Sequence, residues 1–192
     1  MNRVEMKRTV AKIGGSIIQQ AGAPERLRRW IAHQDRSAQL SLIVGGGNLI
    51  DALRELDRIH QLDVVAMHWR CVRALRATLE IVAEWLPNLQ LVLTRDEFER
   101  HRERPATGVY LIAIDSFYTQ DDADELPQSW ATTSDSIAAL LAKKMDIEHL
   151  QLLKSLPVPG DFTIAQATEQ RWVDDAFELA SRGLQVEWVT ID

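Results

Sequence analysis

The sequence predicts an α/β domain in which a mostly parallel central sheet lies between two layers of helices, a three-layer αβα sandwich. Three observations predict it. Short apolar, β-branched runs alternate with helix-period segments along the chain. The first two of these runs end in glycine clusters. No internal repeat or linker-like stretch divides the 192 residues, so 1–192 reads as a single domain around one core.

Arg8 to Ile13 (RTVAKI) is the first strand, and it stops at Gly14-Gly15-Ser16, where glycine permits backbone angles that other residues resist. A helix follows around Glu25 to Gln34. Gln39 to Val44 (QLSLIV) is the second strand, and Gly45-Gly46-Gly47 ends it. Leu49, Ala52, Leu53, Leu56 and Ile59 then recur at three- and four-residue spacing, which predicts a helix packing that face on the sheet. A longer helix runs from Leu62 to Leu86, with Trp69, Val72, Leu75, Leu79 and Val82 on its stripe, and Pro87 ends it. Gln90 to Leu93 and Val109 to Ile114 are buried strands separated by a charged stretch that holds a short helix. Residues 115–130 read as irregular. The next helix starts at Thr133 or Ser134, whose hydroxyl is expected to accept a bond from an orphan amide, and runs to Met145. His149 to Leu153 is a strand, Pro157 to Gly160 a loop, Trp172 to Ser181 a helix ended by Gly183, and Val186 to Ile191 the last strand.

Composition narrows the function. Apolar residues at 46% and charged residues at 26% exclude a disordered chain. A formal charge of −6 argues against a broad nucleic-acid surface, which needs clustered Lys and Arg. No stretch approaches the roughly 20 apolar residues of a membrane span, and the amino terminus lacks a secretory apolar core, so a cytoplasmic protein with no membrane partner is expected. Cys71 is the only cysteine and is expected simply to pack. His33, His60, His101 and His149 show no metal-ligand spacing, and no metal-binding residue is assigned. Asp121, Asp122, Asp124 and Glu125 read as a solvated loop.

In parallel sheets ligands sit beyond the carboxyl ends of the strands, and both glycine clusters lie there, as does Lys154. A phosphate site needs amides aimed at oxygens, glycines that let the backbone approach, and cations. Lys12 before the first loop, the three glycines of the second and Lys154 at a later strand end supply all three. There is no G-x-x-x-x-G-K-[ST] loop and no protein-kinase motif set. A dinucleotide fingerprint would need its third glycine at Ile50.

Four ordered strings narrow this further: Ala11-Lys12-Ile13-Gly14-Gly15-Ser16, Val44-Gly45-Gly46-Gly47-Asn48-Leu49, Thr132-Thr133-Ser134-Asp135-Ser136-Ile137, and Leu152-Leu153-Lys154-Ser155. Together they resemble the motifs of the amino-acid kinase superfamily, especially its uridylate-kinase branch, over residues 8 to 155. The resemblance implies an ATP-dependent phosphotransferase using Mg²⁺ held mainly by the nucleotide and water. It implies that Lys12 and Lys154 neutralise the transferring phosphates and that Asp135 orients both lysines. Gly14, Gly15 and Gly46 would lend amides to phosphate oxygens, with Ser16, Thr133, Ser134 and the loop from Ser155 to Gly160 near the nucleotide. Gly45, Gly47, Asn48, Asp51 and His68 would form the acceptor side.

The match departs on that acceptor side. The branch follows its G-G-G-N with an apolar pair, then Arg and Gly, and here those places hold Asp51 and Ala52. A carboxylate in place of an arginine disfavours UMP by charge repulsion. The Ala66-Met67-His68-Trp69 element and the Trp130-Ala131-Thr132-Thr133-Ser134-Asp135 string resemble the furan-phosphate kinases of methanofuran and methylofuran biosynthesis, which turn an aminomethyl-furanmethanol phosphate into its diphosphate. An ammonium-bearing aromatic acceptor would suit Asp51 and an aromatic wall such as Trp69. Trp69 also fits the apolar stripe, whereas its neighbour His68 points to another face and is the site residue of the pair. The alternatives are a nucleoside monophosphate kinase, or a non-catalytic nucleotide-binding relative. A homo-oligomer is expected.

Overall fold

The structure is a computed structural model that describes residues 6–122, 125–158 and 162–191. Six strands form one sheet: β1 (Arg8–Ile13), β2 (Gln39–Val44), β3 (Gln90–Val92), β4 (Gly108–Ile112), β5 (His149–Lys154) and β6 (Gln185–Thr190). Their order is β3-β4-β2-β1-β5-β6 and every pairing is parallel. The expected strands therefore form, with ends shifted by a residue or two, and the sheet is parallel throughout.

The helices are α1 (Gly15–Ile18), α2 (Ala23–Ala32), α3 (Asn48–His60), α4 (Val64–Trp85), α5 (Arg95–Glu103), α6 (Ser134–Lys144), α7 (Ile164–Glu169) and α8 (Phe177–Ala180). No helix among the described residues is long and apolar enough to cross a membrane. Alternation along the central strands splits the core in two. Val10, Ile43, Leu150 and Leu152 face α6 and the first half of α4, while Ala11, Ile13, Leu42, Val44 and Leu153 face α1, α2 and the second half of α4. Strands β1, β2 and β5 are buried on both faces over most of their length, which is why they read as largely apolar runs.

Four expectations need correction. The apolar stripe of α3 does not pack on the sheet. No residue of α3 is buried, and Leu56 and Ile59 are 48% and 55% exposed. The periodicity is real, but spacing along a helix says nothing about what covers the face. The helix expected over 172–181 is only Phe177–Ala180, preceded by the unforeseen α7. Neither Thr133 nor Ser134 caps α6 with its own hydroxyl. Instead Asp174 accepts from the Thr133 amide (2.8 Å), the Thr133 hydroxyl (2.7 Å), the Ser136 amide (3.1 Å) and the Ser136 hydroxyl. A carboxylate from the tail thus takes the place of a local cap and meets the positive end of the helix. The acidic loop is strapped down, since Asp122 binds Arg95 and Lys144 at 2.9 Å each and Glu125 binds Lys144, while Asp124 lies outside the described residues.

The order of the strands decides where a site can form. From β1 the chain crosses to β2 on one side, and from β5 to β6 on the other, so the loops leaving β1 and β5 diverge. That divergence opens a crevice at their carboxyl ends.

Candidate active site

The carboxyl ends of β1 and β5 are held together by the Gly14 amide, which donates to Leu153 O at 3.2 Å, and by a hydroxyl contact of 3.0 Å between Ser16 and Ser155. Lys12 is one residue short of the end of β1 and Lys154 is the last residue of β5, so both side chains reach the crevice. Asp135, in the first turn of α6, lies between them. Its Oδ1 accepts from Lys12 Nζ at 2.9 Å and from Lys154 Nζ at 3.3 Å. Lys154 Nζ also donates to Trp172 O at 2.6 Å and stands 5.7 Å from the centre of the Trp188 ring.

These three charges are almost out of solvent, with Lys12 and Asp135 6% exposed and Lys154 9%. Burial alone would raise the Asp135 carboxyl, but the charges of Lys12 and Lys154 and the hydrogen bonds from both outweigh it and hold it below the ordinary value. Burial lowers the Lys154 ammonium and Lys12 adds repulsion, against the pull of Asp135. Asp174 is pushed up, by burial first and then by the nearby Asp135. Asp135 thus faces two cations, with Asp174 a second carboxylate close enough to act on Lys154.

The two glycine loops lock into each other. A Cβ on Gly15 would come within 2.2 Å of the Gly47 amide nitrogen, and one on Gly45 within 3.0 Å of the Ser134 hydroxyl and 3.2 Å of Lys12 Cε. Gly47 has φ +52, a conformation that favours glycine. Only bare backbone lets both loops and Lys12 occupy this space. The Gly14 and Gly45 amides are engaged with Leu153 O and Ile13 O, whereas among the described residues no hydrogen bond engages the Gly15 or Gly46 amides.

A cavity of ≈ 370 Å³ opens here. At one end its wall carries Lys12, Gly14, Gly15, Ser16, Gly46 and Gly47, together with Thr133, Ser134, Asp135 and Lys154. At the other end, the wall carries Asp51 and His68. Gly45 packs behind the wall, Asn48 begins α3 outside it, Ser155 is joined to Ser16 rather than facing the cavity, and Gly160 lies outside the described residues.

The second end holds residues that sequence reasoning missed. Arg54 pairs with Asp51 at 3.1 Å and lies 4.7 Å over the Trp130 ring, and Trp130 Nε1 donates to Asp57 at 2.6 Å. The aromatic wall is therefore Trp130. Trp69 is core, donating to Gln128 at 2.7 Å. His68 and Trp69 are both buried, but only His68 reaches the cavity, with its Nε2 3.0 Å from the Tyr118 hydroxyl. Burial holds the His68 ring below its usual pKa, against a backbone hydrogen bond at Ser129. Cys71 also lines the cavity instead of packing away, its thiol pushed up by burial to about 11. Arg171 completes the missed set. Trp130 stands in a motif string, but nothing in the sequence marked Arg54 or Arg171.

Two lysines thus converge on one buried carboxylate beside interlocked glycine loops at a strand divergence, an arrangement of an α/β fold suited to an anionic ligand such as a phosphate. The chain belongs to the amino acid kinase family, whose model matches residues 7–158. Among solved structures it is similar to UMP kinase from Ureaplasma parvum (17% identity, 97% of this chain and 91% of that one, TM-score 0.62). It is similar also to UMP kinase from Bacillus anthracis (16%, 96% and 87%, 0.68) and to uridylate kinase from Archaeoglobus fulgidus (16%, 96% and 91%, 0.59). At such identities the likeness shows the fold. No curated protein sequence matches the chain.

Proposed function

We propose that this chain transfers the γ-phosphoryl group of ATP to a small phosphorylated acceptor, an aminomethyl-furanmethanol phosphate, giving ADP and the diphosphate. The observation that carries the kinase reading is the convergence of Lys12 and Lys154 on one oxygen of buried Asp135. An acceptor phosphate oxygen attacks the γ-phosphorus as the bond to the β,γ-bridging oxygen breaks, and no proton changes hands. A phosphomonoester is largely ionised at neutral pH, its second pKa being about 6, so no general base is required. The protein's work is positioning and electrostatics. Lys12 and Lys154 offset the charge spread over the equatorial oxygens, Asp135 fixes their direction, and the Gly15 and Gly46 amides donate to phosphate oxygens. Thr133, Ser134 and Ser16 lie along the donor end.

No cluster of His, Cys, Asp or Glu among the described residues is arranged to hold a metal, and Asp135 is engaged with lysines. That donor set suits an ion that arrives on the nucleotide. Mg²⁺ bound there would add charge neutralisation between the phosphates.

At the acceptor end, Asp51 suits an ammonium and Trp130 an aromatic ring, and His68 lines the same wall. The second reading is a UMP kinase, and one observation favours it. Arg54 pairs with Asp51, so this wall is not a bare negative charge and the repulsion expected from Asp51 is reduced. We also place the protein in the cytoplasm as a homo-oligomer, with the exposed apolar row of α3 as the surface a second copy would cover. The test is ADP release with ATP and a panel of phosphomonoesters that includes UMP. Turnover with the aminomethylfuran phosphate and none with UMP supports the proposal, UMP turnover alone selects the second reading, and unchanged turnover in Lys12→Ala and Lys154→Ala rejects the mechanism.

A further inference from the structure

Arg171 holds an unusual position. Helix α7 closes with Trp172 N donating to Ala167 O at 2.8 Å and Arg171 N to Thr168 O at 3.0 Å, the paired bonds of a Schellman ending. Arg171 is the left-handed residue of that ending, with φ +60, where glycine is the favoured occupant and a side chain costs stability. Asp146 ends α6 in the same way, but Asp tolerates this region better than Arg does. Of the two endings, only the one at Arg171 borders the cavity.

The turn is tied to the catalytic centre, because the next carbonyl, Trp172 O, is the one that holds Lys154 Nζ. Arg171 lines the cavity with Lys12 and Lys154, and among the described residues its side chain forms no hydrogen bond or ion pair. Its two neighbouring cations are different. Both are already engaged with Asp135, whose charge cancels half of theirs. A polyphosphate carrying three or four negative charges needs more positive charge than that pair supplies, and a planar guanidinium is suited to two phosphate oxygens at once.

We propose that Arg171 is a third cation of the donor site, a phosphate-binding residue that grips the polyphosphate of the nucleotide from the α7 side. This rests on the phosphotransfer reading. The left-handed turn brings Arg171 to the cavity wall, where its exposed side chain has no partner of its own among the described residues and is open to an incoming anion.

The substitution Arg171→Gly separates binding from folding, because glycine relieves the backbone while removing the cation. Titration calorimetry with MgATP and with inorganic tripolyphosphate plus Mg²⁺, alongside thermal melts, reads both. The expected result is a Tm equal to or above that of the parent, with Kd for both anions raised about tenfold or more. Unchanged tripolyphosphate affinity overturns the inference, even if ATP alone binds more weakly, since Arg171 would then touch the nucleoside. Weaker binding accompanied by a lower Tm overturns it too, by making the residue structural. A parent protein that binds neither anion removes the phosphotransfer reading and the inference together, an outcome distinct from equal binding by parent and variant.

Discussion

Helices α3 and α6 both lend residues to the cavity wall, yet they are buried to opposite degrees. Every residue of α6 from Ser134 to Ala142 is buried, and its first turn delivers Asp135 into a closed set of charges. No residue of α3 is buried, and its first two turns deliver Asp51 and Arg54 as a half-exposed pair. The proposed donor end of the site is thus part of the core, where a change is felt by the whole fold. The proposed acceptor end has an exposed wall on α3, where side chains can be exchanged at little cost to stability.

The largest effect should follow Asp135→Asn. Two buried ammoniums would lose their carboxylate, costing about 3–5 kcal/mol, and turnover would fall roughly 10²-fold or more. Urea unfolding and steady-state rates check this, and an unchanged unfolding midpoint would show that α6 is not held as tightly as its burial implies.

Acidification probes the opposite end of the sheet. His101 is buried against Tyr110 and contacts Gln39 and Ser41, and burial first, then Arg8, lowers its pKa to about 4. A folded pKa below the ordinary 6.5 means that the unfolded chain binds the proton first. The His101 contribution to stability is therefore full above pH 6.5 and is lost as pH falls towards 4, by on the order of 3 kcal/mol. His101→Gln should flatten that slope in unfolding curves measured across the window, and an identical slope would remove the assignment.

Asp174→Ala should cost about 1–2 kcal/mol by uncapping α6, and turnover should drop because the first turn of α6 carries Asp135. A stability loss with full activity would show that the cap does not position the carboxylate. Arg54→Ala should leave stability within about 0.5 kcal/mol while raising the KM for the acceptor and not that for ATP. Equal shifts in both constants would blur the division between the two ends. The smallest effect is expected from Leu56→Ser with Ile59→Ser, within about 0.5 kcal/mol for a dilute protein, since both side chains already meet solvent. Sedimentation of the same variant reads whether a second copy covers them.

The same contrast explains what could be read in advance. β1, β2 and β5 are legible because burial on both faces leaves largely apolar runs, and the glycine loops because backbone meets backbone where they cross. Lys12, Asp135 and Lys154 each sit beside such a signal. The cap of α6 was not legible, because the carboxylate that provides it comes from 41 residues away. The role of α3 was misread because its spacing defines a face without naming a cover. Arg54 and Arg171 escaped because a single arginine on a helix or turn carries no pattern until the fold brings it to a cavity. α7 and α8 are six and four residues long, too short for a periodic signal.

The amino acid kinase match ends at residue 158, yet Trp172 O grips Lys154 and Asp174 caps the helix that carries Asp135. A fragment trimmed at that boundary would retain all four motifs and still lack the fastenings of two of its three central charges. For anyone grafting or shortening this protein, the smallest transferable piece is set by those long-range ties and extends at least to Asp174.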